Sequence, residues 1–136
     1  MDVLKIEPTE YSFGVNLDPT NNCFQIWGVS RPEDARLFFH PILEWLDEYH
    51  TLRYWRDNKF NKNSAEVVFE FKLEYINSTS AKFILDILIK IESFQVDNIA
   101  FKVQWFYNEL DRDVKESGEA FEKMCKLPFE YISQPD

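Results

Sequence analysis

Two stretches of the chain alternate apolar and polar residues with a period of two. In the first, Val67, Phe69, Phe71, Leu73 and Tyr75 alternate with Val68, Glu70, Lys72 and Glu74. In the second, Ile99, Phe101, Val103, Trp105 and Tyr107 alternate with Ala100, Lys102, Gln104 and Phe106. Successive side chains of a strand point to opposite faces, so each stretch predicts a strand with one buried and one wet face. Between them the period becomes helical. Ala81, Ile84, Leu88 and Ile91 fall on one face, with Phe83, Ile87 and Phe94 beside them, which predicts a helix over 80–94. Leu85 and Ile89 carry the apolar surface past what a sheet covers. Packing against a neighbouring helix accounts for them; a partly exposed docking face is the alternative.

The same reading extends to both ends. Residues 1–11 are polar with isolated apolar positions, consistent with an added edge strand. Gly14–Asp18 and Cys23–Val29 read as short strands, with turn chemistry in Pro19-Thr20-Asn21-Asn22 between them. Ser30 with Glu33 has the spacing of a capping box, and Pro32 suits a first helical turn. A helix is therefore expected from there to about Tyr49, kinked or broken near 37–40 because Pro41 removes a backbone hydrogen bond. Residues 51–64 read as a helix end and a loop. Asn108 to Asp113 leads into a last helix with an inner stripe of Val114, Ser117, Gly118, Phe121 and Met124. Gly118 in mid-helix points to a close helix–sheet contact. Leu127-Pro128 ends that helix, and Phe129–Ile132 predicts a terminal edge strand. The expected fold class is α/β, in one domain over 1–136: a two-layer sandwich, with a mixed sheet of about five strands and helices on one face.

Composition narrows the function classes. Thirteen Phe and four Trp give a chain of 136 residues enough apolar mass for a core that needs no metal or disulfide. The net charge of −9, with basic residues scattered, argues against nucleic acid and anionic membrane surfaces as partners. Cys23 and Cys125 belong to no metal or redox pair and read as reduced thiols. Met1 to Pro8 has no apolar run, so no signal peptide is expected, and the most apolar run, Phe83–Ile91, is too short to span a bilayer. A cytoplasmic location is expected. His40 and His50 have no ligand spacing, and three glycines do not make a phosphate loop. The reading is a binding protein, not an enzyme, with no cofactor.

The candidate chemistry sits where the first alternating stretch meets the helix: Asn77-Ser78-Thr79-Ser80, with Lys82 just beyond. Asn, Ser and Thr are favoured N-caps, because their oxygens accept bonds from the unpaired N–H groups of the first turn. One cap explains one of these residues; three hydroxyls in a row exceed that need. A phosphate here would lie at the positive end of a helix, where the fold tolerates it. Cap and phosphorylation switch stand as equal readings on these residues alone. Asn77-Ser78-Thr79 also matches a glycosylation sequon, which without a secretory signal is a chance match.

Several pieces occur together in a fixed order: Gly28-x-Ser30-x-Pro32-Glu33-Asp34, Phe71-x-Leu73-x-Tyr75-x-Asn77-Ser78-Thr79-Ser80, Leu85-Asp86-Ile87-Leu88, Trp105-x-Tyr107, Gly118-Glu119-x-Phe121 and Pro128-Phe129. In these the chain resembles the SiaC family of bacterial regulatory phosphoproteins, whose fold is like the STAS or anti-anti-sigma-factor domain. The resemblance implies partner switching. A Ser/Thr kinase with a histidine-kinase-like fold would modify the hydroxyl after the Asn, and a PP2C-type phosphatase would remove the phosphate. The unmodified protein would bind an effector such as a diguanylate cyclase, raising cyclic di-GMP and promoting biofilm. By position the acceptor is Ser78, then Thr79, with Ser80 third. Asn77, Ser80 and Lys82 are the expected neighbours that hold the phosphate or a partner. The family commonly has Thr and then Ser here, whereas this chain has Ser78 and then Thr79. The alternative is a small-ligand-binding domain with an aromatic-lined pocket.

Overall fold

The computed structural model describes residues 1–60 and 66–135. Its strands are β1 (Leu4–Ile6), β2 (Gly14–Asp18), β3 (Cys23–Ser30), β4 (Val67–Ile76), β5 (Phe101–Asn108) and β6 (Phe129–Gln134). Its helices are α1 (Ala35–Phe60), α2 (Ser78–Phe94) and α3 (Arg112–Met124), with a short 3-10 turn at Gln95–Asp97. The strands form one sheet in sequence order, β1-β2-β3-β4-β5-β6. The first three run antiparallel, and β3 to β6 pair in parallel. Each parallel step is bridged by one helix. Because every step moves one strand in the same direction, crossovers of a single hand place all three helices on one face. Accordingly α1 contacts α2, and α2 contacts α3. The sheet has six strands rather than about five, since residues 4–6 pair with β2 as the extra edge.

The alternating pattern delivers the core. Val67, Phe69, Phe71, Phe101, Val103 and Trp105 are buried beneath Ile84, Ile87, Leu88 and Ile91 of α2. Aromatic rings fill the interior in a continuous run: Phe24 lies against Phe69, Phe69 against Phe71, and Phe71 against Trp105, with centroids 5.0–6.0 Å apart. Gly118 provides the close contact expected of it. A Cβ there would lie 2.6 Å from Trp105 Nε1, and that indole N–H donates to the Val114 carbonyl at 2.8 Å. Of the surplus apolar residues of α2, Leu85 is partly buried against the core, whereas Ile89 stays 45 % exposed; α2 meets α1 through Phe83, which stacks on Phe39.

Four local expectations are corrected. Ser30 does not cap α1; it ends β3 and is buried. The cap is Asp34, whose carboxylate accepts from the Leu37 N–H at 3.0 Å, and Pro32 lies outside the helix. Sheet pairing has won over the local capping signal at Ser30. Helix α1 does not stop at Tyr49 or break before Pro41; it runs through both to Phe60, and the rest of the expected 51–64 loop, residues 61–64, lies outside the described residues. Tyr75 is 50 % exposed rather than buried. The β3–β4 register passes from Gly28 opposite Leu73 to Val29 opposite Tyr75, so Glu74 is an extra residue that reverses the alternation. Gly28 accommodates the irregularity with a φ of 100°. Finally, Met124 is exposed because α3 ends there, and Cys125 and Leu127 take the buried places.

Candidate functional site

The carboxyl end of β4 delivers the chain directly to the first turn of α2. Asn77 is the N-cap: its backbone is extended, and its side-chain oxygen accepts from the Ser80 N–H at 2.8 Å. Its own N–H donates to the Ser30 carbonyl at 3.1 Å, which ties the junction to the end of β3. The cap-or-switch ambiguity is thereby separated residue by residue. The capping oxygen belongs to Asn77, and the three hydroxyls are left with other tasks.

They do not share one. Ser80 is fully buried, and its hydroxyl lies 2.7 Å from that of Ser30, which is also fully buried. Two small hydroxyls on neighbouring elements satisfy each other inside the core, as buried polar groups require. Ser78 and Thr79 are exposed, and neither hydroxyl makes a hydrogen bond among the described residues. Lys82 is exposed and lies four residues after Ser78, so the two are neighbours on the helix surface. Of the residues singled out from the sequence, Ser78, Thr79, Asn77 and Lys82 are grouped at one exposed helix end. Ser80 adjoins them in sequence but is turned away from solvent.

Sequence reasoning missed a second group beside this one. The Arg31 guanidinium carbon lies 5.7 Å from the Tyr11 ring centroid and 5.9 Å from that of Tyr75. The Arg31 N–H donates to the Tyr11 carbonyl at 2.8 Å. Arg31 stood within the quoted motif as an unspecified position. The only signal for its place was its position one residue past Ser30.

Other chemistry is weakly provided for. His40 meets Glu44 at 2.7 Å and His50 meets Asp97 at 2.6 Å, so each imidazole is already held by a carboxylate. Among the described residues no three His, Cys, Asp or Glu side chains gather where a metal ion would be held. Burial pushes the thiols of both Cys23 and Cys125 above their ordinary pKa, away from the thiolate a nucleophile needs. A cleft of about 750 Å³ opens at the carboxyl ends of β4 and β5, lined by Lys72, Glu74, Tyr107, Asp111 and Arg112 among others. It is open and polar rather than an enclosed aromatic pocket, because the large rings pack on one another in the core. No helix among the described residues is long and apolar enough to cross a membrane.

A family model described as "SiaC family regulatory phosphoprotein" matches residues 6–134. The chain belongs to the SiaC family. Its role is accordingly that of a regulatory protein, not an enzyme. A curated relative, an uncharacterized protein of Pseudomonas aeruginosa (strain UCBPP-PA14), is 24 % identical over 129 residues, covering 95 % of this chain and 94 % of its own length. Among solved structures, apo-SiaC from Pseudomonas aeruginosa superposes with a TM-score of 0.80 at 23 % identity, covering 97 % of this chain and 99 % of that one. The diguanylate cyclase SiaD in complex with its activator SiaC, also from Pseudomonas aeruginosa, provides a match at TM-score 0.82 and 21 % identity, over 96 % of this chain and 99 % of that chain. At these identities the superpositions establish the shared six-stranded α/β fold.

Proposed function

We propose that this SiaC-family protein is a partner switch, reversibly phosphorylated on Ser78, or on Thr79 beside it, to control binding to an effector such as a diguanylate cyclase. The observation that carries this reading is the division of labour at the start of α2. The cap is made by Asn77 and the buried hydroxyl pair by Ser80, so Ser78 and Thr79 stand exposed with no structural hydrogen bond to lose. The SiaC found in complex with the cyclase SiaD supplies the class of effector.

A Ser/Thr kinase with a histidine-kinase-like fold would transfer the γ-phosphoryl group of ATP to the hydroxyl oxygen. The new O–P bond replaces the bond to the β-phosphate oxygen, ADP leaves, and the hydroxyl proton passes to a base on the kinase. A PP2C-type phosphatase would reverse this with water, releasing inorganic phosphate and restoring the hydroxyl. Ser78 is favoured because Lys82 lies one turn on, placed to face a phosphate there. The added charge of about −1.5 to −2 changes the surface offered to a partner.

Mass spectrometry after incubation with the cognate kinase and ATP tests the reading. Phosphate is expected on Ser78 or Thr79 and absent from Ser80. A kinase that is active on a control substrate yet leaves both residues unmodified would sink it. The effector half is tested by cyclase assay: unmodified protein should raise cyclic di-GMP synthesis, and the phosphorylated protein should not.

A further inference from the structure

We propose that Arg31 is the residue that reads the phosphorylation state, pairing its guanidinium with the phosphoryl group carried by Ser78 or Thr79. The inference rests on the phosphoacceptor reading above and adds to it the group in the same chain that receives the charge.

The sheet register brings the two together. Ser30 pairs with Ile76 across β3 and β4, and the Asn77 N–H donates to the Ser30 carbonyl at 3.1 Å. Arg31 is the next residue on one side of that link, and Ser78 follows Asn77 on the other. Arginine has the longest of the cationic side chains available here, and only Asn77 separates its backbone neighbourhood from the first acceptor. Thr79 is one residue further on.

The guanidinium is already positioned. It lies between the Tyr11 and Tyr75 rings, 5.7 and 5.9 Å from their centroids. Tyr75 occupies its place only because the extra residue Glu74 turns it out of the core, and Tyr11 is fixed by the bond from the Arg31 N–H to its carbonyl. A guanidinium stacks through its flat faces and donates hydrogen bonds through its edges, so two flanking rings leave the edges available for an oxyanion. Among the described residues no carboxylate comes within 4.0 Å of Arg31, although the chain carries 24 acidic residues. Lys90 and Lys102, by contrast, are each paired with a carboxylate. Arg31 is thus an exposed, preordered cation whose partner is absent from the unmodified chain, beside hydroxyls that would gain a dianion.

The test does not depend on the kinase. Phosphoserine is incorporated during synthesis at position 78 in one protein, and phosphothreonine at position 79 in another. The phosphate of each is titrated by phosphorus NMR, with and without Arg31→Gln. An unpaired phosphoserine titrates near pH 6. In at least one of the two proteins the midpoint should lie below this value, and Arg31→Gln should raise it by about one pH unit. Lys126→Gln, an exposed charge removed beyond the far end of α3, should leave the midpoint unchanged. Dependence on Arg31 at either position supports the inference and identifies the acceptor it reads; midpoints that ignore Arg31 at both positions overturn it. A kinase that leaves Ser78 and Thr79 unmodified overturns the partner-switch reading instead, so the two failures are distinct. Arg31→Gln gives up the contacts with the Tyr11 and Tyr75 rings, so the unphosphorylated variant is expected to melt only a few degrees lower and to stay folded throughout the titration.

Discussion

Ser80 and Ser30 are joined through their hydroxyls where no water reaches them. Replacing either by Ala leaves its partner buried without a hydrogen bond, at a cost of about 1–2 kcal/mol. Ser30→Ala and Ser80→Ala combined should cost less than the sum of the two singles, because the second removes the orphan left by the first; chemical denaturation of the four proteins in the cycle measures this. Ser80→Asp buries an unpaired charge and should cost about 3–5 kcal/mol, the physical argument against Ser80 as the acceptor in the proposed switch. Asn77→Ala removes the cap and should cost about 1 kcal/mol by the same measurement. On the open sheet face, the Lys102 ammonium and then the Gln104 amide hold the Glu130 carboxyl below its usual range. A carboxyl depressed in the folded state adds stability above its unfolded pKa and loses it as pH falls through the folded one. NMR titration should therefore find Glu130 below 4.5, the ordinary value, and Lys102→Ala should move it back up.

At the scale of elements, the glycines of α3 and β3 serve opposite purposes. Gly118 lets α3 press against Trp105, where an added Cβ would meet the indole at 2.6 Å. Gly118→Ala improves helix propensity by about 1 kcal/mol, but overpacking costs about 1–3 kcal/mol, so a net loss of stability is expected in thermal melts. Gly28 has open space around its Cβ position and a φ of 100°, so Gly28→Ala should cost about 1–3 kcal/mol through backbone strain alone. The two can be separated by Trp fluorescence: Gly118→Ala should perturb Trp105, and Gly28→Ala should leave that indole's environment intact. Helices α1 and α2 are clasped along their length by Phe39 on Phe83, by Lys90 with Asp47, and at the far end by His50, which stacks on Phe94 and bonds Asp97. These contacts join α2 to α1, while its first turn is tied to β3 by the Asn77 N–H on the Ser30 carbonyl and by the Ser30–Ser80 hydroxyl pair.

For the whole molecule, a phosphate at position 78 shifts the net charge from −9 to about −11 without displacing a buried group. The positive end of α2 should offset the added repulsion by about 0.3–1 kcal/mol. Phosphoserine incorporated at position 78 is therefore expected to leave the melting temperature unchanged or raise it by about 1–4 °C at low salt. A drop of several degrees in calorimetry would mean that the switch works by loosening the fold rather than by altering its surface. The filled aromatic core bears on function in the same way. With the interior filled by packed rings, the proposed switch is expected to act through the exposed junction and its charge rather than through a repacked core.

Where one face is buried and one is wet, the sequence alone determined the structure. The period of two placed β4 and β5, the period of 3.6 placed α2 and α3, and Gly118 announced its contact with Trp105, because each pattern depends only on neighbours along the same element. The hydroxyl run likewise marked the junction. What only the tertiary structure decided was the use of each residue there. Ser30 looked like a helix cap and became a buried strand end, Asp34 took the cap, and Ser80 was withdrawn from solvent by Ser30, fifty residues away in the chain. Tyr75 reached the surface beside Arg31 because one extra residue entered the β3–β4 register. Each of these turns on the alignment of one strand against another, and strand alignment is set by long-range pairing that no local pattern encodes.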